Sequence, residues 1–169
     1  SIIVTSFTNY KVSASSQIKS KSCYLYDFNS KSEIFAYNEN ERLPIASMTK
    51  IMLLDIVYEE ILSKNVSFDE EITISERASS MGGSQVFLEE GERISVEELI
   101  KCTVIASAND AAVALAELVS GSESAFVGKM NKRAKELGMK NTNFANSNGL
   151  DADNHYSTAY DIALMSREL

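Results

Sequence analysis

The sequence has no tryptophan, one proline, one histidine and two cysteines. Each scarcity removes a class of explanation. A lone histidine, His155, cannot build a zinc site that relies on several histidines. Cys23 and Cys102 lack Cys-x-x-Cys spacing and have no nearby histidine, so they do not spell a metal motif. Cys102 falls in an apolar helical pattern and is expected to pack as a small hydrophobe. The alternative, a Cys23–Cys102 disulfide, is not fixed by sequence. Basic residues are also in short supply. With 16 Lys and Arg against 24 Asp and Glu, the net charge is −8, which repels phosphate backbones and argues against nucleic acid as a partner. No apolar run reaches the length needed to cross a membrane. The chain opens on Ser1 with no signal-like stretch, as expected of a mature secreted form or of a cut one.

What is present is ordinary for a globular chain. Of the 169 residues 44% are hydrophobic and 24% charged, enough to build a core without metal or disulfide. That length fits one domain, or a domain with part of another. Residues 1–21 are rich in Ser, Thr and Lys and are expected to be a mobile or edge segment. Residues 22–169 carry the structured pattern.

Residues 23–28 and 33–37 are β-rich on either side of an Asn-Ser-Lys-Ser turn, which predicts a hairpin. A helix is expected from Ser47, with Ile51, Leu54, Tyr58 and Ile61 as its packed face. Met48, Met52 and Met81 are expected in or near the core. A short strand is expected over 69–75, and a flexible loop at Met81-Gly82-Gly83-Ser84. Ser95-Val96-Glu97-Glu98 reads as a reciprocal capping box. The helix it opens breaks at Ser107-Ala108-Asn109-Asp110. Further helices are expected over 111–118, ending at Gly121, and over 123–137, ending at Gly138. Residues 141–154 read as loop, and His155 beside them as solvent-facing. Thr158-x-x-Asp161 starts a last helix, and no stop signal follows Leu169, so the natural enzyme is expected to be longer.

Chemistry concentrates in Ser47-Met48-Thr49-Lys50. A serine at a helix start and a lysine three residues on share a face. A serine hydroxyl is a weak nucleophile until a neighbour takes its proton. A lysine can do so when neutral, and both partial burial and the electropositive helix start favour the neutral form. The Ser47 N–H can also stabilise an oxyanion. Ser-x-x-Lys is cheap on its own, and it recurs without meaning at Ser16-Gln17-Ile18-Lys19. It gains weight from Ser107-Ala108-Asn109, which an interhelical turn would project toward a cleft. Ser-x-x-Lys followed by a Ser-x-Asn element is the order found in penicillin-binding proteins and β-lactamases.

Beyond these elements, Arg42-Leu43-Pro44-Ile45-Ala46-Ser47-Met48-Thr49-Lys50 is similar to the nucleophile segment of low-molecular-mass penicillin-binding proteins, the D-alanyl-D-alanine carboxypeptidases. Ser107-Ala108-Asn109-Asp110-Ala111-Ala112 resembles their second motif. Asn148-Gly149-Leu150-Asp151-Ala152 with Ser157-Thr158-Ala159-Tyr160-Asp161 resembles the segment that follows. The resemblance runs from about Ser22 to Leu169. It implies an α+β, β-lactamase/transpeptidase-like fold, with the helical part present and the sheet incomplete, leaving an unpaired edge prone to association. It implies Ser47 as nucleophile, Lys50 as base and Ser107 as proton relay. Asn109 would bind substrate backbone and help fix Lys50. Gly83 and Ser84 are candidate substrate-binding residues, and the bland reading of their loop, a mobile surface turn, stays open.

The implied partners are peptidoglycan stem peptides ending in D-Ala-D-Ala, and β-lactams that acylate Ser47. The implied location is extracytoplasmic, with no metal or organic cofactor. Any membrane anchor would lie in a C-terminal segment beyond these residues. The family's third motif, Lys-Thr-Gly, is absent from the sequence, so these residues alone are expected to turn over poorly. Two rivals stand beside this reading. A class A-like β-lactamase would need a glutamate for its deacylating water, and residues 141–153 contain none. A non-catalytic β-lactam- or muropeptide-sensing module would keep both motifs.

Overall fold

The computed structural model describes residues 19–169. Nearly all of the expected mobile or edge segment, residues 1–21, lies outside these. Two antiparallel pairs of strands accompany a set of helices. β1 (Cys23–Asp27) and β2 (Ser32–Tyr37) form the expected hairpin, with an irregularity between Leu25 and Tyr26. Among the described residues neither strand has a second neighbour. β3 (Glu71–Thr73) pairs with β4 (Arg93–Ser95). The strand expected over 69–75 is therefore shorter, and its partner has too few residues to show a period.

The helices are α1 (Thr49–Leu62), α2 (Glu76–Ser79), α3 (Val96–Ile105), α4 (Asn109–Ser120), α5 (Glu123–Glu136) and α6 (Ala159–Ser166). At the centre lies α4. Residues 111–116 (Ala-Ala-Val-Ala-Leu-Ala) are all buried, and α1, α2, α3 and α5 pack around them. A helix apolar on every side must be enclosed, and its alanines let the neighbours approach closely. Phe126, Met130, Leu99, Met52 and Leu53 fill the space around it.

The local punctuation follows side-chain chemistry. Gly121 and Gly138 stop α4 and α5 in left-handed conformations (φ +75° and +78°). Ser95, Ser122 and Thr158 cap α3, α5 and α6 through their hydroxyls. At α3 only half of the capping box forms: Glu98 N–H donates to Ser95 Oγ, while the Glu98 carboxylate pairs with Lys101 at 2.7 Å.

Several expectations are corrected. The deep face of α1 is Met52, Leu53, Ile56 and Val57, while Ile51, Leu54, Tyr58 and Ile61 are half-buried. Both rows have helical spacing, so periodicity could not choose between them. Met52 and Met81 are core residues, but Met48 is 45% exposed. α4 begins two residues early, at Asn109, with the extended Ala108 as its N-cap. α6 closes at Ser166, and Arg167 and Glu168 N–H donate to Leu164 and Met165 carbonyls. Cys102, by contrast, packs against the core as expected, and Cys23 and Cys102 are both free thiols.

Asp110 is fully buried and accepts N–H bonds from Val86 and Leu88 on the far side of the 81–91 loop, and from Ala111. The carboxylate thus fastens a segment with no regular structure to the central helix. It holds Phe87 between its two partners in a left-handed conformation (φ +62°), the ring in solvent. Asp110→Ala leaves the Val86 and Leu88 amides without acceptors and should cost about 2–4 kcal/mol. Chemical denaturation measures that loss, and hydrogen exchange should be fastest to rise at those two amides.

Candidate active site

The nucleophile segment is gripped from both sides. Leu43 exchanges backbone hydrogen bonds with Ser157 (2.9 and 3.1 Å), and Ile45 is anchored in the core. Ala46 then adopts a left-handed conformation (φ +46°) in a 3-10 turn, Ala46–Met48, that leads into α1. A residue with a Cβ adopts that conformation at a cost of about 1–2 kcal/mol. Gly149 (φ +92°) lies directly against this turn. A Cβ there would sit 2.0 Å from the Ala46 carbonyl oxygen, so no other residue fits. Ser47 is left exposed, and among the described residues its N–H has no acceptor. A free N–H beside an exposed hydroxyl is the arrangement an oxyanion needs.

Lys50 lies beneath, only 4% exposed. Its Nζ donates to Ser47 Oγ at 3.3 Å, Asn109 Oδ1 at 2.8 Å and the Asn148 carbonyl at 2.7 Å. None of these acceptors is charged. Burial without a counter-ion lowers the ammonium pKa to about 8. At pH 7 roughly a tenth of the side chain is then neutral, against a negligible fraction for a solvated lysine. Proton transfer from Ser47 thus has both a short path and a base of suitable strength.

Asn109, the first residue of α4, joins three segments. Its Oδ1 accepts from Lys50, its Nδ2 donates to the Gly82 carbonyl at 2.8 Å, and its backbone N–H donates to the Ser84 carbonyl at 2.7 Å. A protonated lysine only donates and a carbonyl only accepts, so this network fixes the orientation of the amide. Gly83 (φ +79°) passes so close that a Cβ would stand 2.8 Å from Asn109 Nδ2. Ser84 is exposed and contributes its carbonyl. Ser107 sits at the turn before α4 with φ +54°, half-buried. Among the described residues its hydroxyl has no hydrogen-bond partner. The structure therefore ties Ser47, Lys50 and Asn109 together directly, and borders them with residues 82–84, while Ser107 stays outside the hydrogen-bonded cluster.

The sequence reading missed the Asn148 carbonyl, since a backbone acceptor leaves no mark in residue type. Gly149, within the Asn148-Gly149-Leu150-Asp151 stretch, was the available signal. His155 is a plain correction. It is 7% exposed, not solvent-facing. Ala145 N–H donates to its Nδ1 at 3.0 Å, so Nδ1 is the acceptor and Nε2 carries the proton toward Thr49 Oγ1 at 2.7 Å. An Asn/Asp-rich segment looked exposed, but Phe144, Ser147, Asn148 and Gly149 turn inward with it.

Two outcomes follow from this packing. Gly149→Ala combines overpacking with left-handed strain and should cost about 2–4 kcal/mol, with the Ser47 turn displaced; thermal denaturation checks it. Burial lowers the His155 pKa from 6.5, with the more distant Asp151 charge opposing. The folded pKa lies below the unfolded one, so this contribution is complete above pH 6.5 and is lost as pH falls through the folded value. In His155→Gln, stability measured from pH 7 down to pH 5 should fall less steeply than in the parent (about the range in which histidine titrates).

Comparison with known proteins agrees with this geometry. The signature of the D-alanyl-D-alanine carboxypeptidase family matches residues 8–169. The chain is 50% identical over 151 residues to the D-alanyl-D-alanine carboxypeptidase DacF of Bacillus subtilis, covering 89% of this chain and 39% of that protein. Among solved structures, the D-alanyl-D-alanine carboxypeptidase DacD of Francisella tularensis superposes with a TM-score of 0.88 at 37% identity, over 96% of this chain and 40% of that one. Penicillin binding protein 5 of Haemophilus influenzae gives 0.85 at 37% identity, over 89% and 44%. The chain thus spans about two fifths of the length of the relatives it matches. The α+β fold is that of the penicillin-binding transpeptidase type, with only part of its sheet in these residues. With a family signature across nearly its whole length, the chain belongs to the D-alanyl-D-alanine carboxypeptidase family of serine peptidases.

Proposed function

We propose that residues 22–169 are part of the catalytic domain of a serine D-Ala-D-Ala carboxypeptidase that trims peptidoglycan stem peptides outside the cytoplasmic membrane. The observation that carries this reading is the contact of buried, counter-ion-free Lys50 with the exposed Ser47 hydroxyl, 3.3 Å between heavy atoms. Lys50 in its neutral form takes the Ser47 proton. The Ser47 oxygen bonds to the carbonyl carbon of the penultimate D-alanine. The Ser47 N–H stabilises the oxyanion, the C–N bond breaks, and the leaving amine receives its proton by way of Ser107. Water then cleaves the acyl-enzyme and returns Ser47. Asn109 holds Lys50 in place and, with residues 82–84, borders the substrate. Penicillins enter the same path and stop at the acyl stage.

Ser107 is given this role because it lies two residues from Asn109, in a turn with a left-handed backbone (φ +54°). Its free hydroxyl is available to a substrate amine. Among these residues no Lys-Thr-Gly strand exists to grip a terminal carboxylate or to add a second oxyanion donor. One such donor alone is worth a factor of roughly 100–1,000 in rate. The 169-residue chain by itself should therefore acylate at least about a hundredfold more slowly than the natural full-length protein.

Labelling with a fluorescent penicillin tests the assignment. In the full-length protein Ser47→Ala should abolish labelling, and the parent's acylation rate should climb with pH through about 8 as Lys50 loses its proton. Labelling of Ser47→Ala at the parent rate would remove Ser47 from its role.

A further inference from the structure

The carbonyl that caps Lys50 belongs to a turn that is itself held by a carboxylate outside the site. Glu123, in the first turn of α5, has an 11% exposed side chain. Its Oε1 accepts from Ser147 N–H at 3.2 Å and Ser147 Oγ at 2.9 Å, with a longer 3.5 Å contact from Asn148 Nδ2. Its Oε2 accepts from Arg77 of α2, at 2.7 Å to one terminal nitrogen and 3.3 Å to Nε. Each oxygen therefore already accepts two hydrogen bonds from protein donors. From Glu123 the chain of contacts is short: Ser147 is next to Asn148, whose carbonyl meets Lys50 Nζ at 2.7 Å. Gly149, one residue on, rests against Ala46.

We infer that Glu123, oriented by Arg77, is a positioning residue for the Ser47–Lys50 pair: it pins the 147–149 turn so that the Asn148 carbonyl shields Lys50 from water. The inference rests on the reading of Lys50 as base. It assigns the tuning of that base to an ion pair on two other helices, which make no hydrogen bond to Ser47 among the described residues. The groups facing Lys50 Nζ are Ser47, Asn109 and Asn148, all uncharged, so water admission is the means by which a loosened turn changes its titration. Ionised Glu123 accepts every donor around it: burial pushes its carboxyl pKa up, and the hydrogen bonds from Arg77 and Ser147 together outweigh that and hold it below the usual value. The glutamine amide offers one acceptor oxygen in place of two and turns donors toward Arg77 or Ser147.

The test is the pH dependence of penicillin acylation in the full-length protein, for the parent, Glu123→Gln and Arg77→Met, with Ser47→Ala alongside. In Glu123→Gln the midpoint of the rise should move to higher pH as water reaches Lys50. The rate at pH 7 should fall about 10- to 100-fold, the scale of an ångström-sized misplacement of a reacting group. Arg77→Met, at an outer side chain that is 57% exposed, should shift the profile the same way by less. A purely structural role would lower Tm and the fraction of protein that labels, and leave the midpoint of the labelled fraction unmoved. Ser47-dependent labelling of the parent with an unmoved midpoint in both variants overturns this inference and leaves the carboxypeptidase reading intact. Labelling of Ser47→Ala at the parent rate overturns both.

Discussion

Lys50 is an ammonium site with no carboxylate beside it among the described residues. Three neutral oxygens, from Ser47, Asn109 and Asn148, are all it meets in a pocket almost closed to water. Such a site penalises the positive charge without compensating it, and the penalty appears as a lowered pKa. A carboxylate in place of any of these partners would restore the charge and remove the base. The rest of the architecture maintains this condition. Asn109 is fixed at the start of the central helix, Asn148 lies in a turn clamped by Glu123, and Ser47 stands on a turn that only a glycine at 149 allows.

The enclosure draws its rigidity from elements that carry no chemistry. The alanine-rich α4 lets four helices close around it, which brings α1 and the 107–110 turn within reach of each other. Asp110, one residue after Asn109, fastens the 81–91 loop to the same helix end. The two neighbours therefore divide the work: one faces the site, and the other holds its border. His155 does similar service, tying the 145–155 segment to Thr49 inside the Ser47–Lys50 element.

Legibility in the sequence followed the kind of interaction. Side-chain pairs close in sequence were readable: Ser47 and Lys50 at three-residue spacing, the Gly121 and Gly138 stops, the Ser95 and Thr158 caps, and the hairpin over β1 and β2. Asn109 was legible through its place in a second motif. Interactions that depend on backbone groups or on distant partners were not. The Asn148 carbonyl has no residue signature, and the inward turn of His155 depends on an amide at Ala145. The choice of the Met52–Leu53 face of α1 over the neighbouring row is set by what α4 and α5 present. Glu123 reads in sequence as one more first-turn glutamate, and only the fold brings Ser147 and Arg77 to it.

With a pKa of about 8, the amine of Lys50 is neutral for an appreciable part of the time near neutral pH. NMR titration of the full-length protein labelled at lysine side-chain carbon, with the Lys50 signal identified by its loss in Lys50→Arg, tests it most directly. A midpoint at about 8 is expected. A midpoint at the ordinary lysine value of 10.5 would contradict it.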